Sequence, residues 1–143
     1  MCFFNEELFV VAEMSGNHNQ SLERALMIID AAVKAGVSAV KLQTYTADTL
    51  TINIADREFL VDDSASLWNG ENLYSLYSQA YTPWEWHKEI FSYCKKKGIL
   101  CFSSPFDDTS VDFLESLNCR TYEIRRRADA IRQRQNPSFD KFQ

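Results

Sequence analysis

Leu8-Phe9-Val10-Val11-Ala12 is a continuous apolar run closed directly by a carboxylate, Glu13, and no other feature constrains the fold as strongly. A run without polar alternation reads as a strand buried on both faces. A carboxylate at its end is costly unless it is paired or opens onto a wet cavity. The chain then repeats the arrangement. Leu22, Ala25, Leu26, Ile29, Ala32 and Val33 recur at three and four residues behind Ser21, and Gly36 supplies the left-handed stop of a helix. Residues 38–42 predict a second strand. Residues 43–70, rich in Thr, Asp and Asn, read as one long loop with little regular structure. A second helical stripe follows in Trp84, His87, Ile90, Phe91 and Cys94. Thr82 and Glu85 are its capping box, Pro83 its first position, and Gly98 follows its Lys95-Lys96-Lys97 last turn. Residues 99–103 predict a third strand. Asp107 or Asp108 caps a helix carrying Val111, Leu114 and Leu117, and residues 121–124 predict a fourth strand.

Strands alternating with helices define an α/β chain with a parallel sheet and helices packed outside it. Glu13-Met14-Ser15-Gly16-Asn17-His18 lacks the G-x-G-x-x-G spacing, which argues against a dinucleotide fold. Polar residues instead stand at or just past the strand C-termini: Glu13, Asn17 and His18; Gln43 and Thr44; Ser103 and Ser104. That is the layout of a (β/α) barrel, whose chemistry lies at the C-terminal ends of its strands. Four strands are half of one. The expected fold is therefore an incomplete TIM (β/α) barrel of three to four βα units over residues 1–124, followed by a basic tail, 125–143, outside the fold.

Composition narrows the classes. With 45% hydrophobic and 13% aromatic residues but only 4 Gly and 3 Pro in 143, the chain is neither collagen-like nor low-complexity nor disordered. Its longest apolar stretches fall far short of the ~18–20 residues of a membrane span. The acidic start, with Glu6 and Glu7, is unlike a signal peptide, so the expected location is cytoplasmic. Cys2, Cys94, Cys101 and Cys119 have no C-x-x-C spacing and read as buried free thiols rather than a disulfide framework. The net charge of −5 conceals an asymmetry: residues 1–124 carry 9 Lys/Arg against 18 Asp/Glu, residues 125–143 carry 6 Lys/Arg against 2 Asp. The basic tail, from Arg125-Arg126-Arg127 to Arg134, suits either a nucleic-acid or membrane arm or a segment unrelated to the fold. No aromatic platform accompanies its arginines, which favours the second reading and no nucleic-acid partner.

Among the chemical candidates, Glu13 and Lys41 lead. Pairing them at adjacent strand ends satisfies a structural reading, a salt bridge, and a functional one, a carboxylate to handle protons beside a cation for a phosphate or carboxylate. His18 is either a hydrogen-bonded structural residue or a ligand contact. His87, on a helix stripe among tryptophans, reads as packing. The Ser103 and Ser104 hydroxyls and nearby backbone N–H groups suit phosphate oxygens. With 2 His, the chain offers no convincing metal site of its own, and no Ser-His-Asp arrangement is visible.

Three strand-end motifs, Val11-Ala12-Glu13-Met14-Ser15-Gly16-Asn17-His18-Asn19, Val40-Lys41-Leu42-Gln43-Thr44-Tyr45 and Phe102-Ser103-Ser104-Pro105-Phe106-Asp107, together resemble the sialic acid synthase family. Ser66-Leu67-Trp68 through Thr82-Pro83-Trp84-Glu85-Trp86-His87 is similar to its pseudaminic acid synthase branch, and the likeness runs from Leu8 to Ile124. The resemblance implies a nonulosonic acid synthase that condenses phosphoenolpyruvate with the open-chain form of an acetamido sugar and releases phosphate. It implies Glu13 facing the sugar, Lys41 and Ser104 on phosphoenolpyruvate, and Gln43, Thr44, Asn17 and His18 as further substrate contacts. It also implies a divalent metal, Mn or Mg, acting as Lewis acid on the aldehyde, with ligands from a part of the family absent from this sequence. The full-length family is homodimeric, with a C-terminal antifreeze-like domain that has no counterpart here.

The resemblance breaks at Tyr122-Glu123-Ile124-Arg125, where the family pattern carries a Lys in place of Glu123. A carboxylate facing an anionic ligand repels it, so Glu123 either weakens the site or pairs with Lys41 or a tail arginine. Loss of likeness together with charge reversal reads as a truncated or frame-shifted product, inactive alone and prone to aggregate or oligomerise through uncovered barrel faces. The alternative is a non-catalytic remnant or interaction protein with a basic arm.

Overall fold

Val11–Glu13 (β1), Ala39–Thr44 (β2) and Leu100–Pro105 (β3) form a three-stranded parallel sheet in the order β1-β2-β3, in a computed structural model that describes residues 8–119. The predicted strand at 121–124, Glu123, the tail 125–143 and Cys2 lie outside the described residues. Each crossover carries a helix, as parallel pairing requires. Leu22–Lys34 (α1) joins β1 to β2, and Trp84–Lys97 (α4) precedes β3. Asp108–Ser116 (α5) follows β3. The architecture is three successive βα units of a barrel.

The helices form where their ends are satisfied. Ser21 accepts from the Arg24 N–H to start α1, and Asp107 accepts from the Ser110 N–H to start α5. Gly98, at φ 74°, closes α4 in the left-handed conformation that costs other residues a Cβ clash. Side chains alternate across a strand. Val40 and Leu42 of β2 therefore turn toward the helices, into a core with Ile29 of α1 and Ile90 and Cys94 of α4, all fully buried. Ala39, Lys41 and Gln43 turn the other way. Cys94, Cys101 and Cys119 are free thiols.

Four expectations need correction. β1 is not buried on both faces: Leu8 is 84% exposed and Phe9 59%, and among the described residues the strand pairs with β2 alone. Residues 43–70 carry more structure than a loop. β2 runs on to Thr44, a four-residue helix spans Ala47–Leu50 (α2), a 3₁₀ turn spans Arg57–Phe59, and Leu60 bridges to Asn72. Leu73–Ala80 (α3) is a helix the sequence reading leaves unassigned. Asn72 caps it by accepting from the Tyr74 and Ser75 N–H groups. Finally, no capping box starts α4: Pro83 occupies the N-cap, and the Thr82 hydroxyl is bonded to His18 instead.

Candidate active site

The parallel register fixes which strand-end residues share a face. Glu13 is the Cα partner of Lys41, Lys41 of Phe102, and Gln43 of Ser104. All five sit on the side away from α1 and α4. Toward the strand N-termini the same face is apolar, with Val11, Ala39 and Leu100 in register. Polarity therefore rises along the strands to their C-terminal ends. There Lys41 Nζ lies 2.7 Å from Glu13 Oε2, with the lysine side chain 17% exposed and the glutamate 40%. Ser104, the register partner of Gln43, is buried. A carboxylate, an ammonium, an amide and a hydroxyl thus share the C-terminal end of one sheet face: the ammonium, amide and hydroxyl can donate to an anionic group of a ligand, and the carboxylate can accept from ligand hydroxyls.

Not every expected residue joins it. Thr44 lies on the opposite face, fully buried, with its hydroxyl 2.8 Å from His87 Nε2 and 2.6 Å from Ser103 Oγ. It is committed to the helix side of the sheet and is corrected from substrate contact to internal partner. Ser103 goes with it. The N–H groups after Pro105 are also engaged internally. Phe106 N–H donates to Thr44 O and to Ser110 Oγ, and Asp107 N–H to Ser110 Oγ. The phosphate cradle read from that stretch is not formed by them.

The loop after β1 is held tightly. Ser15, Asn19 and Gln20 all have positive φ, and the Gln20 side chain donates to the carbonyls of Gln79 and Tyr81 at the end of α3. A Cβ on Gly16 would stand 2.7 Å from Ala80 O, so only glycine permits this approach. Asn17 donates its amide to Met14 O within the loop. His18 is fully buried with both nitrogens occupied: Nδ1 accepts from the Gln20 N–H, which leaves Nε2–H to donate to Thr82 Oγ1. Burial lowers its pKa and keeps the ring neutral. Of the two roles open to His18, the geometry supports the structural one.

Tyr45 was not among the expected site residues. It is buried against Tyr77 and Phe106, ring centroids 5.9 and 5.4 Å away, and its carbonyl accepts from Trp84 Nε1–H. Burial, reinforced by Tyr77, pushes the phenol up to about 12, so it remains a neutral donor. Ser15, whose hydroxyl reaches Gln43 Oε1 at 3.4 Å, was also missed. Its signal is positional only, two residues past Glu13.

No group of three or more His, Cys, Asp or Glu side chains among the described residues is arranged to hold a metal ion. Among the same residues, no helix is long and apolar enough to cross a membrane.

A parallel α/β sheet with ionic and hydrogen-bonding groups gathered at its strand C-termini defines part of a (β/α)-barrel fold with a candidate site at its strand ends. The family model that matches is the NeuB family, over residues 28–127. The chain belongs to this family, that of the sialic acid synthases its strand-end motifs resemble. It is 47% identical over 120 residues to the pseudaminic acid synthase of Campylobacter jejuni, covering 84% of this chain and 34% of that protein. It is 45% identical over 115 residues to that of Helicobacter pylori, covering 80% and 33%. The crystal structure of an N-acetylneuraminic acid synthetase from Leptospira borgpetersenii shares the fold, with a TM-score of 0.66, 24% identity, and coverage of 84% of this chain and 36% of that one. The spore coat polysaccharide biosynthesis protein SpsE of Bacillus subtilis superposes with a TM-score of 0.56 at 30% identity, covering 85% and 30%. The chain spans about a third of the length of the curated relatives it matches.

Proposed function

We propose that these strands supply the N-terminal part of the site of a nonulosonic acid synthase of the pseudaminic acid type. In this reading phosphoenolpyruvate and an open-chain acetamido sugar meet at the strand ends. C3 of the enol attacks the sugar aldehyde, water adds at C2, and the tetrahedral intermediate loses phosphate by C–O cleavage. The observation that carries the proposal is the Glu13–Lys41 contact of 2.7 Å between Cα partners of adjacent strands. Lys41 would hold an anionic group of phosphoenolpyruvate, with Gln43 and Ser104 in the next layer of the same face. Glu13 would exchange its contact with Lys41 for hydroxyls of the sugar as the ligands enter. Asn17 would help shape the loop over them. The described residues do not fit the divalent Mn or Mg that the resemblance implies, so no step is derived through it. Its ligands, the partner subunit of a homodimer and the remainder of the barrel belong to the full-length family and come with the proposal, as does a cytoplasmic location. So does the division at residue 124 into barrel segment and basic tail.

The test transplants residues 8–119 into the corresponding segment of the Campylobacter jejuni pseudaminic acid synthase and measures phosphate release with phosphoenolpyruvate, the acetamido sugar and Mn²⁺. The chimera should turn over, Glu13→Ala and Lys41→Ala in it should not, and the 143-residue chain alone should release no phosphate because groups acting as a unit fail together. A chimera that folds cooperatively but stays inactive would overturn the proposal in favour of a non-catalytic remnant.

A further inference from the structure

His87 occupies a place that packing alone would give to a leucine. It is fully buried between the edges of Phe91 and Phe113, ring centroids 6.0 and 5.3 Å away. Its Nδ1 lies 3.2 Å from the carbonyl of Pro83, which can only accept, so Nδ1 carries the proton. Nε2 of the neutral ring is then a bare acceptor, and the Thr44 hydroxyl, 2.8 Å away, must donate to it. With its proton spent, Thr44 Oγ1 accepts from Ser103 Oγ–H at 2.6 Å. The relay Ser103 to Thr44 to His87 to Pro83 thus runs in one direction and ties the ends of β2 and β3 to the first turn of α4. Three polar groups in an apolar layer are costly if any loses its partner, whereas apolar isosteres would be close to neutral. The return on that cost is a single geometry. Thr44 is the next residue after Gln43, and Ser103 the one before Ser104. Gln43 and Ser104 are register partners on the other face.

We propose that His87 is a positioning residue which, through Thr44 and Ser103, sets the placement of Gln43 and Ser104 on the ligand face of the sheet. The ligand assigned to that face rests on the synthase reading above. The relay itself does not.

The full 143-residue chain, labelled with ¹⁵N, tests it by NMR. Long-range correlations should show His87 with a protonated Nδ1 and a bare Nε2. In His87→Leu the Gln43 side-chain amide and the Ser104 backbone amide should move, while the backbone signals at the N-terminal turn of α1, Glu23 and Arg24, stay. His87→Gln, whose Oε1 can accept from Thr44, should keep both near their original positions. In the chimera, phosphoenolpyruvate binding should weaken by about tenfold with His87→Leu and recover most of that with His87→Gln. The opposite tautomer overturns the proposal. So does a His87→Leu chain that melts lower while its Gln43 and Ser104 signals are unmoved, the mark of a merely structural histidine. Should Leu at this position block folding, Thr44→Val breaks the relay at its middle and is read by the same signals. A folded chimera that fails to bind phosphoenolpyruvate overturns the synthase reading, and the ligand-free spectra of the 143-residue chain still decide the positioning.

Discussion

Glu13 and Lys41 stand opposite one another in the ladder of β1 and β2 and touch at 2.7 Å, yet the glutamate is more than twice as exposed as the lysine. The pair is thus asymmetric toward solvent. Water can replace the lysine around Glu13 more easily than it can replace the glutamate around Lys41.

Lys41→Met should therefore lower the unfolding free energy by no more than about 1 kcal/mol, the scale of a solvent-accessible ion pair. In the chimera it should nonetheless abolish phosphoenolpyruvate binding. Urea unfolding and calorimetric titration of the same variant check the two halves. A large stability loss with binding intact would contradict the assignment of Lys41 to the ligand.

Gly16→Ala places a methyl 2.7 Å from the backbone carbonyl of Ala80, which cannot yield as a flexible side chain would. The loop carrying Asn17 and His18 must move off the end of α3, at a cost of about 1–3 kcal/mol. A lowered urea midpoint with an unchanged slope is the expected result.

Acid should weaken the fold before carboxylates titrate. His87 is held at about 4, below its ordinary 6.5, chiefly by burial, and burial lowers His18 as well. His87 binds a proton more readily in the unfolded chain, so its contribution to stability is complete above pH 6.5 and is lost as pH falls toward 4, with a limiting slope of about 1.4 kcal/mol per pH unit, and His18 acts in the same direction. Urea titrations at about pH 7 and about pH 5.5 should show the loss, and His87→Gln should reduce it.

Asp107→Ala removes the acceptor of the Ser110 N–H, 3.0 Å away, and with it the start of α5. The expected cost is about 1–2 kcal/mol, and Asp107→Asn should restore most of it. Thermal unfolding of the three chains side by side checks this.

The sequence made the βα order, the α1 stripe, a cap of α5 at Asp107 or Asp108 and the Glu13–Lys41 pairing legible, because each is written in local periodicity, in cap chemistry or in the cost of an unpaired charge; the structure gives the cap to Asp107. Thr44 was misplaced because standing at a strand end says nothing about which face a residue takes. The two-residue period did say it: Lys41 and Gln43 share one parity and Thr44 has the other. The capping box at Thr82 and Glu85 fits its local template, but His18, 64 residues away, supplies a buried partner that the hydroxyl takes instead. Helix α3 had a signal that the loop-like composition before it obscured, with Asn72 as cap and Leu73, Leu76, Tyr77 and Ala80 at helical spacing. β1 looked buried because an apolar run marks what a strand can bury, and among the described residues little of that run is covered.

The relay at the strand ends also has a bearing on time. Thr44 meets Ser103 across 59 residues and His87 across 43, so neither bond can close until helix α4 and strand β3 have come to rest against β2. Contacts of such sequence separation reward the chain only after the loop entropy has been met. The strand-end groups would then fall into register late, on the native side of the folding barrier. Thr44→Val and Ser103→Ala should accordingly speed unfolding while leaving the folding rate nearly unchanged.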